Sequence, residues 1–242
     1  MRVAHALTFI SFAHARAQTA DISRYVVLFS GRPAGEYREW WTSKNELHSV
    51  YDYNDRGRGP HEEAVLRVGA SGVPSSLLVI DHGYLKDSVD ESFNWSGNTA
   101  TWKNASEHGT RQDAGRAYYV SAAESPVGSQ LLIKAALAQG GRIPLLPSGL
   151  AGVTKSGEMT ITVRGKPVHV VRYDVGGFGF SPFPLWLDDS GERFRRSRGG
   201  RASCPRDGNP PCRRWSRRRT KRAAIDTRDS HASSRTSRPA RW

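Results

Sequence analysis

Alternation of apolar and polar positions runs through the first three quarters of this chain and predicts a series of β-strands. Residues 25–29 form a β-branched and aromatic run that stops at Ser-Gly-Arg-Pro, residues 30–33. Residues 64–68 alternate in the same way, and a Gly- and Pro-containing turn then leads into a second apolar run at residues 77–80. Runs of this length and composition, bounded by turn residues, are typical of strands.

Two further strand pairs carry the signature of hairpins. Residues 93–95 and 100–102 flank a Ser-Gly-Asn turn, and residues 159–163 and 168–173 flank an Arg-Gly-Lys-Pro turn. Connections this short favour antiparallel pairing, because parallel neighbours need a crossover of a dozen or more residues. The pattern therefore predicts an antiparallel meander.

One stretch has helical periodicity. Ser125 is the expected N-cap, Pro126 occupies the first helical position, and Gly140 and Gly141 end the element. The sequence thus predicts a helix over about residues 126–139, packed on or inside the sheet. The predicted fold class is β-rich α+β, with antiparallel meander sheet(s), one packed helix and a disordered Arg-rich tail.

The charge distribution separates a tail from the rest of the chain. The whole chain has a net charge of +13, and residues 193–242 alone contain 17 Lys and Arg against 3 Asp and Glu. So few apolar residues cannot offset the entropy of ordering, and we expect residues 193–242 to be disordered. Both cysteines, Cys204 and Cys212, fall in this tail, where their spacing gives only a weak zinc signal.

The N-terminus resembles an export signal. Residues 1–20 combine an early positive charge, a modest apolar stretch and small-x-small cleavage candidates. No other stretch approaches the ~18–20 apolar residues that span a bilayer. We therefore expect an exported protein, periplasmic or extracellular, without a transmembrane segment.

Motifs for catalysis are absent from the sequence. None of the eight histidines forms His-x-His or a helical i, i+4 pair, and there is no Gly-x-Ser-x-Gly, phosphate-loop or dinucleotide motif. The sequence accordingly predicts no catalytic residue, no metal site and no cofactor in this chain.

The densest polar stretches, residues 51–60 and 84–91, supply the candidate site. Arginines flanked by glycines can bind an anion or a carboxylate through the guanidinium fork, and the alternative is a turn tied by salt bridges. The candidate residues for this anion-binding or structural polar cluster are Tyr53, Asp55, Arg56, Arg58, Tyr84, Lys86, Asp90 and Glu91.

The same stretches resemble landmarks of a known family. Residues 51–60, 84–86 with 89–91, 102–104, 145–149 and 186–188 are similar, in order, to the N-terminal non-catalytic region of exported bacterial amidohydrolase-family proteins. The resemblance implies that residues 24–192 are an accessory β-domain. It also implies that a parent hydrolase of amide or cyclic amide bonds would carry its divalent metal, such as zinc, in a later barrel. After Phe194 the likeness ends, which indicates a truncated and frameshifted product without activity.

Two other functions stay open. A meander curled around a helix can enclose a cavity, which would make the protein a periplasmic carrier of an apolar ligand. The aromatic side chains considered for lining such a cavity are Trp40, Trp41, Trp95, Trp102 and Trp186. Alternatively, the Arg-rich tail could bind RNA, DNA or another anionic surface non-specifically.

Overall fold

A computed structural model describes residues 21–112, 117–163, 165–198 and 201–205, with the backbone alone for residues 195–198 and 201–205. The predicted leader and residues 206–242 lie outside the described residues. The described chain forms one helix, α1 (Ser129–Ala138), and fifteen strands. The strands are β1 (Ser23–Phe29), β2 (Arg32–Ser43), β3 (Glu46–Tyr53), β4 (His61–Val68), β5 (Pro74–His82), β6 (Ser88–Ser96), β7 (Thr99–Lys103), β8 (His108–Gln112), β9 (Tyr118–Tyr119), β10 (Arg142–Leu146), β11 (Leu150–Val163), β12 (Lys166–Gly176), β13 (Phe183–Asp188), β14 (Arg193–Arg198) and β15 (Arg201–Pro205).

All fifteen strands belong to one sheet with the order β8-β7-β6-β5-β4-β3-β2-β1-β15-β14-β13-β12-β11-β10-β9. Neighbours are antiparallel except β9 and β10, which are parallel and are joined through α1. The predicted β-rich α+β class, with an antiparallel meander and one packed helix, is confirmed. Pairing of β1 with β15 joins the two halves of the meander.

The helix begins later than the sequence predicts. Its first residue is Ser129, and Gly128 takes the N-cap position with a φ of 71°. Ser125 does not cap the helix, because it lies four residues before Ser129; its hydroxyl accepts a hydrogen bond from the backbone N–H of Val127. Residues 125–127 therefore form a turn ahead of the helix.

The sheet curves around the helix. A single core cluster combines inner-face side chains of β3 to β7, buried residues of α1 and inner-face side chains of β10 to β13. Leu66 from the first half and Leu185 from the second half both belong to it. Because the two halves lie on opposite sides of β1 and β15, only a curved sheet brings both against one helix.

A buried ion pair links β14 to β2 beside this core. Arg193 Nη2 lies 2.6 Å from Glu39 Oε1, and both side chains are buried. The guanidinium carbon also lies 4.8 Å from the ring centroid of Tyr25 and 4.4 Å from that of Tyr37. Cation–π contact with these two neighbouring rings offsets part of the cost of removing the charge from water.

Hydrogen bonds extend this cluster to the helix. Arg193 Nη1 donates to the carbonyl of Pro126 at 3.1 Å and to Ser129 Oγ at 3.2 Å. Glu39 Oε2 accepts from the Tyr37 hydroxyl at 2.9 Å. Burial raises the pKa of Tyr37, which keeps this hydroxyl protonated as a donor. One residue of β14 thus ties together β1, β2 and the start of α1.

The domain boundary that the sequence predicts, at residue 192, places Arg193 outside the domain. Arg193 and Phe194 are buried, and the backbones of β14 and β15 fill the place between β13 and β1. The average composition of residues 193–242 conceals this, because an arginine that is paired and stacked can be buried although arginine is usually exposed.

We expect the position of a C-terminal truncation to decide the stability. A chain ending at residue 205 should unfold at the same urea concentration as the full chain. A chain ending at residue 192 leaves Glu39 buried without its cation, which costs about 3–5 kcal/mol. Urea unfolding followed by circular dichroism measures both. Equal midpoints for the two truncations would contradict the role of β14 and β15.

Two glutamates of β2 provide a matched test of the ion pair. Glu39→Ala should lower the free energy of unfolding by about 3–5 kcal/mol, because the buried guanidinium loses its counter-charge. Glu36→Ala removes a surface ion pair with Arg24 at 3.2 Å and should cost at most about 1 kcal/mol. Similar losses from the two substitutions, measured by urea unfolding, would show that the buried pair is not special.

Candidate functional site

A cavity of about 80 Å³ lies between the segment that leads into α1 and the inner face of the sheet. That volume is several times the ~10–15 Å³ that one water molecule needs. The lining residues come from β4, β5, β9, the segment 120–128, α1 and the loop before β13. They are Leu66, Pro74, Leu77, Tyr118, Tyr119, Val120, Ser121, Ala123, Ser125, Pro126, Val127, Gly128, Ser129, Leu132, Phe178 and Phe183.

Glu91 of β6 holds the first part of this wall. Its carboxylate accepts hydrogen bonds from the Tyr119 hydroxyl at 2.8 Å and from Ser121 Oγ at 2.9 Å. It also accepts from the backbone N–H groups of Ala122 and Ala123, both at 3.0 Å. A segment without regular structure is thus fixed by four donors to one buried carboxylate.

Glu62 of β4 holds the second part. Its two oxygens accept the backbone N–H groups of Glu124 at 3.0 Å and Ser125 at 2.5 Å. Burial raises the pKa of Glu62 to about 7, although the two N–H donors act in the opposite direction. The negative charges of Glu124 and Glu91 raise the pKa further. The wall is therefore attached to a carboxyl group that titrates near neutral pH.

The hydroxyl groups of the wall are directed to the protein itself. Tyr118 donates to the carbonyl of Gly128 at 2.7 Å, and Tyr119 and Ser121 donate to Glu91. The ring of Tyr119 also stacks on Phe93, with centroids 4.3 Å apart. With these hydroxyls already bonded within the protein, the wall presents ring faces and aliphatic groups to the cavity together with polar groups.

Phe178 and Phe183 form the opposite side of the cavity. Their rings meet edge to face with centroids 5.6 Å apart, and both line the cavity. Phe178 belongs to the turn between β12 and β13, and Phe183 begins β13. In this turn Gly177 has a φ of 97° and lies against the carbonyl of Leu150. A Cβ at Gly177 would come within 2.2 Å of that oxygen, so only glycine fits.

The structure brings most of the predicted polar cluster together at a different place. The Tyr84 hydroxyl donates to Asp55 Oδ2 at 3.2 Å, and the Arg58 guanidinium lies 5.9 Å from the Tyr84 ring centroid. The buried ring of Tyr53 lies 6.4 Å from that of Tyr84. Lys86 Nζ donates to the carbonyl of Gly59 at 3.3 Å. Binding of an anion by these residues stays a prediction.

The remaining predicted residues lie apart from that group or differ in role. Arg56 is 90 % exposed, with its Nε 3.9 Å from Asp55. Asp90 is exposed on β6, whereas Glu91, the next residue, points inward to the cavity wall. Glu62 escaped the sequence analysis. The signal that could have identified it is an acidic residue at an inward-facing position of β4, two positions before Ala64.

The aromatic residues considered for a cavity lining are placed elsewhere. No tryptophan is among the residues that line the cavity. Trp40 stacks on His48, and Trp41, Trp95 and Trp102 pack against the core cluster. Tyrosine and phenylalanine supply the rings of the cavity instead, because the segment 118–128 and not a long strand forms its wall.

In the part of the chain that the structure describes, no group of three or more His, Cys, Asp or Glu side chains is arranged to hold a metal ion. No helix of that part combines the length and the apolar character needed to cross a bilayer.

Comparison with known proteins corrects the family resemblance. No family model and no curated protein matches the chain. A solved structure that it resembles is a β-barrel-like protein of the domain of unknown function DUF1849 from Brucella abortus, with a TM-score of 0.48 and 10% sequence identity. The match covers 77% of this chain and 95% of that chain.

The amidohydrolase resemblance is therefore wrong. The interpretation of the chain as an accessory domain, or an inactive fragment, of a metal-dependent hydrolase is wrong as well. The matching stretches are short turn and strand-end sequences, which recur in unrelated β-proteins because they satisfy the same backbone geometry. Residues 206–242, most of the tail expected to be out of frame, lie outside the described residues.

The titration of Glu62 should make the free energy of unfolding depend on pH. Because its pKa is raised from 4.5 to about 7 on folding, the folded state holds the proton more tightly than the unfolded state. Its contribution to stability is complete below pH ~4.5 and is lost as the pH rises through ~7. We expect a loss of about 3 kcal/mol across this range.

Urea unfolding at a series of pH values measures the effect. Glu62→Gln should abolish this part of the pH dependence, because the amide does not titrate. Glu63→Gln, the exposed neighbour on the same strand, should retain it. An unchanged pH profile in Glu62→Gln would rule out this carboxyl group as its source.

Proposed function

We propose that this protein is an exported carrier that binds an apolar ligand in the cavity beneath the segment 118–129. The observation that carries the proposal is a partly open cavity beside the core, most of whose lining residues have aliphatic or aromatic side chains. Pockets that bind small molecules are typically concave, largely apolar and preformed. The volume suits one apolar group, such as the end of an acyl chain or a ring.

The preformed wall supports binding rather than filling by the protein's own side chains. Glu62 and Glu91 fix the segment 119–125 over the sheet through six hydrogen bonds, so the wall does not collapse onto Leu66 and Leu77. An apolar group placed in the cavity gains dispersion contacts with the aliphatic and aromatic lining side chains.

A substitution that fills the cavity tests the proposal. Val127 is partly exposed and lines the cavity, so Val127→Trp places an indole there without replacing a fully buried residue. We expect it to reduce the affinity for a fluorescent apolar probe such as phenylnaphthylamine at least about tenfold, which corresponds to the burial of one apolar side chain. Fluorescence titration of the purified full chain gives the affinity.

Leu137→Trp is the matched control. Leu137 is exposed on α1 and does not line the cavity, so the same ring is added to the protein at a neutral position. Its affinity for the probe should equal that of the unmodified chain. Equal probe binding by Val127→Trp and the unmodified chain would refute binding in this cavity.

A further inference from the structure

One end of the sheet collects the most exposed apolar side chains of the described residues. At this end β1 and β5 finish, and β11 and β13 begin, as the register shows by pairing Phe29 with Arg201, and Phe183 with Val175. We call it the Phe180 rim and define it by Phe29, Leu85, Leu150 and Phe180. These are four of the nine exposed large apolar residues described, and they include the two most exposed.

Each of these side chains lies in a turn or at a strand end. Phe180 is fully exposed in the β12–β13 turn, and Leu85 is 70 % exposed in the β5–β6 turn. Phe29 and Leu150 are 39 % and 42 % exposed. Fold stability does not explain bulky apolar groups at such positions, because they bury little surface there.

Aromatic and basic side chains accompany the apolar ones. The ring of Phe29 meets that of Tyr53 edge to face at 6.2 Å, and Tyr53 lies beside Tyr84. Arg58 lies over Tyr84, and the exposed guanidinium of Arg56 occupies the same turn. Asp55 and Asp87, in the same two turns, offset part of this positive charge. Aromatic rings next to Arg and Lys are typical of the interface between hydrocarbon and lipid headgroups.

The turns that carry Phe180 and Leu150 are fixed to each other. Gly177 packs against the Leu150 carbonyl so closely that no Cβ fits, which holds the β12–β13 turn beside the start of β11. Phe178 of the same turn lines the cavity while Phe180 points out of it. The two phenylalanines therefore connect the cavity wall with the exposed rim.

We propose that the Phe180 rim docks on a lipid bilayer with anionic headgroups. Phe180, Leu85 and their neighbours insert their apolar tips, and Arg56, Arg58 and Lys86 contact the phosphates. The tips are spread along a curved end and interleaved with cations, which suits a broad fluid surface. A protein partner would instead require one contiguous, well-packed centre. This inference does not rest on ligand binding in the cavity.

Sedimentation with phospholipid vesicles tests the docking. The vesicles contain phosphatidylcholine with roughly a quarter phosphatidylglycerol, the anionic fraction that attracts basic side chains. The full chain is used at about 0.1 M NaCl, and because all variants share the Arg-rich C-terminus, a difference between them reports the rim. Phe180→Ser with Leu85→Ser should lower the bound-to-free ratio at least about tenfold.

Leu78→Ser with Met159→Ser is the matched control. The two residues are 44 % and 37 % exposed, and they lie in the middle of β5 and within β11, away from the strand ends that form the rim. This pair should bind vesicles like the unmodified chain. Unchanged binding by the rim variant, or an equal loss in both variants, would overturn the proposal.

A second measurement places the rim relative to the bilayer. Phe180→Trp should gain tryptophan quenching by phospholipids brominated on the acyl chain, and Leu78→Trp should not. Equal quenching of the two would also overturn the proposal. Because Phe180 does not line the cavity, the rim variant should keep its affinity for the apolar probe, which separates failure of docking from failure of ligand binding.

Discussion

The buried contact between Arg193 and Glu39 is the constraint on which the arrangement of this fold depends. A sheet of fifteen strands closes into one cooperative unit only if its two halves are held in register, and that contact lies where they meet. The two neighbouring tyrosine rings favour a planar guanidinium at this site, since lysine has no planar group to lay against a ring. The hydrogen bonds to Pro126 and Ser129 then set the position of the helix.

Once the helix is placed, the cavity follows from where its preceding segment can run. Residues 120–128 must connect β9 to α1 across the inner face, and their backbone N–H groups need partners that a core of Leu and Val does not offer. Glu62 and Glu91 supply those partners from inside the sheet. Burying the carboxyl groups of Glu62 and Glu91 costs free energy of desolvation. The same two groups fix the segment 120–128 above the strands, which leaves the cavity between them.

The strands could be predicted from sequence and the site could not, for a physical reason. Alternation on β4 or across Gly97 is a local signal that reports the sheet directly. The roles of Glu62 and Arg193 depend on partners 62 and 154 positions away, and composition places both residues on the surface. The start of the helix at Ser129 could not be predicted either, because Glu62, 63 positions before Ser125, holds the preceding segment by the backbone N–H groups of Glu124 and Ser125. The resemblance to the amidohydrolase family was wrong because it rested on short stretches at turns. Unrelated proteins have similar sequences at turns of the same geometry.

The two free edges of the sheet are unequal, and this shapes how copies of the chain meet. β9 offers only two residues, both buried, whereas β8 offers five, with His108 and Arg111 among them. On β8, Gly109 leaves room for the Trp102 ring of the neighbouring strand, so the flat indole covers part of that edge. A short edge and a polar edge give a second chain little template for strand addition. Crowded copies of this β-rich protein should therefore remain separate rather than extend one another's sheets.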